Sequence, residues 1–150
     1  MWTLFLIFLA ASAAAAATGT LFKPGAWYEG LEKPAWTPRK WMFPVVWTVL
    51  YIASAYAAAR VAIRPDSGQA LAFWSMQIAF NTLWTPVFFG AHRMAAGLIV
   101  IVILWLAVAA VMVNFLTLDL LAGLLIVPYL IWVTVAASLN LWIWRNNRAG

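Results

Sequence analysis

Three stretches of the chain repeat aromatic and amide side chains at helical spacing. Trp47, Tyr51 and Ser54 fall at i, i+4 and i+7. Gln77, Asn81, Trp84 and Phe88 fall at i, i+4, i+7 and i+11, and Tyr129, Trp132, Ala136 and Asn140 at i, i+3, i+7 and i+11. Residues at these intervals share one face of a helix. Indole and phenol rings beside a few amides suit a flat, apolar, polarisable ligand, which the rings stack against and the amides orient. The same residues also suit packing, since amides between membrane helices act as hydrogen-bond glue worth about 0.6–2 kcal/mol. A lined pocket and a packed core are both open on this pattern alone.

Other chemistry is scarce. The chain has no cysteine, which excludes a disulfide, a thiolate nucleophile, an iron–sulfur cluster and cysteine-ligated zinc. Its one histidine, His92, stands beside Arg93 between two apolar stretches and reads as a surface residue, so no metal site is expected. No phosphate-binding glycine loop and no Ser–His–Asp set is present. No acidic residue falls inside an apolar stretch, which argues against a proton-coupled carrier. Lys33, Arg39 and Lys40 either pair with peripheral carboxylates of a ligand or simply set topology. A net charge of +5 spread this thinly is not a nucleic-acid surface.

The elements that must carry these faces follow from composition. Of 150 residues, 67% are hydrophobic, 16% aromatic and 9% charged, against about 25% charged in a soluble domain. Lipid is the fitting solvent. Five long uncharged stretches are each near the ~20 residues that cross a bilayer as a helix, and lipid-exposed backbone must satisfy its own hydrogen bonds. The expected fold is an all-α membrane protein: one domain, 1–150, a bundle of five transmembrane helices spanning about 2–22, 42–63, 69–90, 94–118 and 120–144, with a long ordered loop between the first two. The second span runs past Ala59 to about Ile63 if Arg60 snorkels. Pro86 and Pro128 interrupt the third and fifth; each frees a carbonyl and either opens a cavity or is a tolerated kink. A signal peptide ending at Ala13–Ala17 is the rival reading of the first span, but it lacks a basic start and the apolar run continues to Phe22.

Lys23, Lys33, Arg39, Lys40, Arg93, Arg145 and Arg148 fall on one side of such a bundle, and Arg60 and Arg64 on the other. The positive-inside rule then predicts the N-terminus outside and the C-terminus in the cytoplasm. A helical bundle favours the cytoplasmic membrane over an outer membrane. Pro24, Pro34 and Pro38 stiffen the 23–40 loop, and Trp27, Tyr28, Leu31 and Trp36 give it apolar surface, so it is expected to cap one mouth of the bundle. Trp2, Trp41, Trp74, Trp142 and Trp144 are expected to be interfacial anchors. Trp84, Trp105 and Trp132 sit nearer mid-helix. Ala11, Ala15 and Gly19 make a small-residue line suited to close helix contact, within the bundle or between protomers.

Several stretches also match a known family in order and spacing. These are Leu31-Glu32-Lys33-Pro34-Ala35-Trp36-Thr37-Pro38; Phe43-Pro44 with Trp47-Thr48-Val49-Leu50-Tyr51; Gln77 through Trp84 with Pro86 and Phe88-Phe89-Gly90; and Pro128-Tyr129-Leu130-Ile131-Trp132 through Ala136, Leu139-Asn140 and Trp144-Arg145. The chain resembles the tryptophan-rich sensory protein or translocator protein family, also known as the peripheral benzodiazepine receptor family, in a bacterial-type form. The resemblance implies a receptor or sensor that binds porphyrins, haem or related tetrapyrroles as ligand rather than as obligatory cofactor, and synthetic benzodiazepine-receptor ligands. It implies a pocket of Trp36, Trp47, Tyr51, Asn81, Trp84, Trp132 and Ala136, to which the spacing adds Phe88 and Asn140. It also implies a homodimer in membrane lipid. The alternatives it leaves are light-dependent porphyrin breakdown, with Trp47 and Trp132 as the candidate electron donors, and a tetrapyrrole or lipid transporter. Two departures stand out: Arg39 replaces a second proline in the loop, and Leu141 stands where the sterol-binding members carry a tyrosine, so sterol is a doubtful ligand.

Overall fold

A computed structural model describes residues 1–22 and 25–147. Lys23 and Arg148, which enter the topology argument above, and Pro24, one of the loop prolines, lie outside the described residues. The described residues form helices and connecting turns without strands: α1 (Trp2–Leu21), α2 (Ala26–Glu29), α3 (Met42–Ala62), α4 (Gly68–Thr85), α5 (Met94–Leu118) and α6 (Leu120–Asn146). Four of them, α1, α3, α5 and α6, are long and apolar enough to cross a membrane. Of the five expected spans, the third, which contains α4, does not meet that length and composition. The physical reason lies in α4, where Gln69, Ser75, Gln77, Asn81 and Thr82 dilute the apolar content.

The third expected span is also not one continuous α-helix. Pro86 has no N–H to give the preceding turn, and Pro86–Gly90 continue as a π-helical turn in which the Ala91 N–H reaches the Pro86 carbonyl at 2.7 Å. The widened turn sets Phe88 inward and Phe89 beside it. His92, at φ 57°, then reverses the chain into α5. Pro128 lies within α6, which continues through it.

The short turns at His92 and Asp119 make α4, α5 and α6 sequential neighbours, and α5 packs most extensively against α6. Helix α1 packs against α3 and α4, and α3 also meets α6. The core runs through the alanine-rich end of α3 (Ala55, Ala57, Ala58, Ala59), the inner face of α5 (Ile101, Leu104, Val108, Phe115) and that of α6 (Ile126, Val133, Ile143). Gly97 permits the α5–α6 approach, since a Cβ there would lie 3.1 Å from both Asn140 Oδ1 and Phe88 Cδ2.

Arg60, near the C-terminal end of α3, is paired within the fold. Asp119, buried at the α5–α6 turn, accepts from Arg60 Nε at 3.2 Å, Arg64 Nη2 at 3.1 Å and the Ala122 backbone N–H at 3.1 Å, which also caps α6. Arg60 thus finds its carboxylate within the fold. Burial pushes the Asp119 carboxyl up, but the Ala122 N–H and the two guanidinium groups outweigh it and hold the group below the usual carboxylate range.

Candidate functional site

Residues 25–40 fold over one end of the bundle. Tyr28 of α2 is buried and meets the Phe89 ring edge-on at 5.3 Å, while Trp27 meets Phe88 at 5.6 Å and stacks on His92 at 4.3 Å. Lys33 closes the loop on itself. Its ammonium donates to the carbonyls of Tyr28 (2.8 Å), Leu31 (3.2 Å) and Glu29 (3.3 Å) and lies over the Tyr28 ring. It is thus committed to the loop rather than free for a ligand. The Asn147 amide exchanges hydrogen bonds with the backbone N–H and carbonyl of Glu32, each at 3.0 Å, tying the loop to the end of α6. Burial raises the Tyr28 hydroxyl to a pKa of about 12.

Beneath this end lies a pocket of about 390 Å³, within the usual range for small-molecule sites of about 300–1,000 Å³. The start of α3 supplies Phe43, Trp47 and Tyr51 to it, and the end of α4 and its π turn supply Trp84 and Phe89. The opposite wall is α1, through Ala15, Ala16, Gly19 and Thr20. Lys40 lines the rim, ion-paired with Glu29 of α2. Phe22 closes one end and lies so near Gly90 that a Cβ there would stand 2.6 Å from its ring.

Apart from Trp36, the sequence-selected residues divide into two groups. Trp47, Tyr51 and Trp84 line the pocket. Asn81, Phe88, Trp132, Ala136 and Asn140 are buried behind it. Trp84 stacks on Phe88 at 5.5 Å and donates its indole N–H to Asn140 Oδ1 at 3.1 Å, and Asn140 in turn donates to the Met94 carbonyl at 2.9 Å. Trp47 stacks on Tyr51 at 5.6 Å and meets Trp132 edge-on at 6.3 Å. The Tyr51 hydroxyl donates to Asn81 Oδ1 at 2.7 Å, Asn81 Nδ2 donates to the Tyr129 hydroxyl at 2.7 Å, and Tyr129 donates to Gln77 Oε1. The two readings of the stripes therefore coexist, with aromatic faces toward the pocket and amides knitting α3, α4 and α6.

Trp36 is half exposed and does not join the pocket lining. Trp74, expected as an interfacial anchor, is instead buried at 2% exposure and donates to Ser54 Oγ at 2.8 Å, because it faces α3 rather than the helix exterior. Trp2 and Trp41 are largely exposed. Trp105, on α5, donates to Thr134 at 2.7 Å. The α1 wall was missed as a site. Its signal was the Ala11–Ala15–Gly19 line, which reads as close helix contact, whereas around Gly19 the small residues leave open space. Among the described residues, no cluster of three His, Asp or Glu could hold a metal ion.

An all-helical bundle with several membrane-capable helices and a folded loop over one end defines a polytopic membrane protein. Comparison with known sequences gives the family: residues 3–145 match the TspO/MBR family, and the chain belongs to it. It is 57% identical over 146 residues to a tryptophan-rich sensory protein of Cereibacter sphaeroides, covering 97% of this chain and 92% of that one. It is 53% identical over 149 residues to protein CrtK of Rhodobacter capsulatus, covering 97% and 93%. It is 35% identical over 126 residues to the human translocator protein, covering 81% and 75%.

Proposed function

We propose that this membrane protein is a receptor or sensor that binds a porphyrin or related tetrapyrrole in the pocket between α1, α3 and α4. The observation that carries this reading is the pocket wall: Phe43, Trp47, Tyr51, Trp84 and Phe89 surround one volume, with Lys40 at its rim. Aromatic faces stack on a flat conjugated ring, and an ammonium at the mouth suits a peripheral carboxylate. Asn81, Phe88, Trp132, Ala136 and Asn140 act from behind, holding the indoles and phenols in place. The name of the Cereibacter relative, a tryptophan-rich sensory protein, agrees with this class.

The same reading takes α4 with its π turn as a fifth span, shielded by its neighbours so that its amides face protein rather than lipid. It places the N-terminus outside and the C-terminus in the cytoplasm, in a cytoplasmic membrane, and takes the working unit as a homodimer. Protoporphyrin IX titrated into detergent-solubilised protein should quench tryptophan fluorescence. Combined Trp47→Phe, Trp84→Phe and Trp132→Phe substitutions should weaken binding about tenfold, since each indole gives way to a smaller ring without an N–H. Unchanged affinity in that triple variant would sink the site.

A light-driven reading of the same pocket is favoured by one feature, the contact of Trp47 with both Tyr51 and Trp132. Loss of the Soret band under illumination, abolished by Trp47→Phe and not reproduced by free tryptophan, would distinguish it from binding alone.

A further inference from the structure

The hydrogen bonds behind the pocket run in one direction. Tyr51 donates to Asn81, Asn81 to Tyr129, and Tyr129 to Gln77. The Gln77 amide nitrogen ends the chain with no partner among the described residues, although Gln77 is 1% exposed. At the other end Tyr51 lines the pocket, and its hydroxyl accepts no hydrogen bond from a described residue. A phenol has one proton to give and lone pairs to receive with. The Tyr51 proton is committed to Asn81, so its oxygen is left as an acceptor.

The same heavy atoms allow a second arrangement with as many hydrogen bonds, which leaves the Gln77 carbonyl rather than its NH2 without a partner. Turning the Asn81 and Gln77 amides by half a rotation exchanges oxygen and nitrogen while the heavy atoms keep their places. Gln77 then donates to Tyr129, Tyr129 to Asn81 and Asn81 to Tyr51. All three bonds survive, and the Tyr51 proton is released toward the pocket. A buried network of this kind holds its members cooperatively, so the polarity changes as a unit.

We propose that Tyr51–Asn81–Tyr129–Gln77 is a relay of reversible polarity that sets whether the pocket recognises a hydrogen-bond donor or an acceptor on its ligand. In the arrangement seen here Tyr51 receives, and the preferred ligand carries an N–H or O–H at this position. A carbonyl or imine ligand selects the reversed arrangement, at the cost of turning two buried amides. Gln77, on the far side of the relay and absent from the pocket lining, thereby governs ligand chemistry without touching the ligand. The inference rests on the pocket assigned above.

The test uses two flat probes of like size, phenylindole as a donor and phenylbenzoxazole as an acceptor, titrated against the full chain in detergent by tryptophan fluorescence. The native protein should prefer phenylindole by about three- to tenfold, the worth of one hydrogen bond, and Tyr51→Phe should remove the preference. Gln77→Met keeps the length and shape of the side chain while depriving Tyr129 of its oxygen acceptor. It should reverse the preference toward phenylbenzoxazole, and in the Tyr51→Phe background it should change nothing. Equal weakening of both probes by Gln77→Met, or a changed ratio that persists without the Tyr51 hydroxyl, would overturn the relay while leaving the pocket intact. Failure of both probes to bind the native protein would overturn the relay and, if protoporphyrin IX also fails to bind, the pocket with it.

Discussion

Trp84 and Asn140 are joined across the bundle: the indole N–H of the pocket-lining tryptophan donates to the amide oxygen on α6 at 3.1 Å, and both residues are at least 96% buried. Asn140 spends its own N–H on the Met94 carbonyl at the start of α5. One amide thus orients a pocket wall and fixes three helices. Asn140→Leu leaves the indole N–H dry, and the expected cost is about 1–3 kcal/mol. Trp84→Phe made in that background should recover part of the loss, because it removes the orphaned donor. Thermal unfolding of the four proteins of the cycle checks this.

Gly19 tests the pocket without disturbing the core. It lines the pocket, and a Cβ there meets no protein atom within 4 Å. Gly19→Leu should keep or slightly raise thermal stability, since leucine is the better helix former by up to about 1 kcal/mol. It should lower porphyrin affinity about tenfold by filling the space. Unchanged binding with unchanged stability would mean that the ligand sits elsewhere.

Asp119 predicts an acid limb in the stability profile. Its carboxyl is held below the ordinary value, so its contribution is present at pH values above the unfolded-state pKa of about 3.9 and is lost as pH falls through the depressed folded-state value. Asp119→Asn should lower Tm at neutral pH, because Arg60 and Arg64 lose their shared carboxylate. The variant should also show a shallower decline in acid. A Tm series across pH distinguishes this from a general loss of packing.

Tyr28 predicts the opposite limb, in the loop. Its hydroxyl is buried without a partner among the described residues, and burial raises it from 10.0 to about 12. Ionisation therefore costs the docked loop nothing below pH 10 and destabilises it as pH climbs toward 12. Tyr28→Phe should stabilise the docked loop by about 1 kcal/mol, since it deletes a dry hydroxyl and keeps the ring against Phe89. Limited proteolysis of residues 25–40 at rising pH should show earlier cleavage in the native protein than in the variant.

Much of this molecule was legible before any coordinates. Thirteen charges in 150 residues, and the uncharged runs between them, were enough for helices in lipid, because a bilayer leaves backbone polar groups few other solutions. Spacing alone put Trp47 with Tyr51, Asn81 with Trp84 and Trp132 with Asn140, since the helical period sets which side chains share a face. Period does not say which neighbour a face meets or how closely. Only the packing of α1 decided that its small residues would wall a pocket, and only the crossing of α3 and α4 turned Trp74 from an expected anchor into a buried donor to Ser54. Asp119 and Arg60 stand 59 residues apart and pair because two helix ends converge. The direction of the hydrogen bonds from Tyr51 to Gln77 is likewise a property of three helices together, for a lone amide has no preferred sense until its partners choose one.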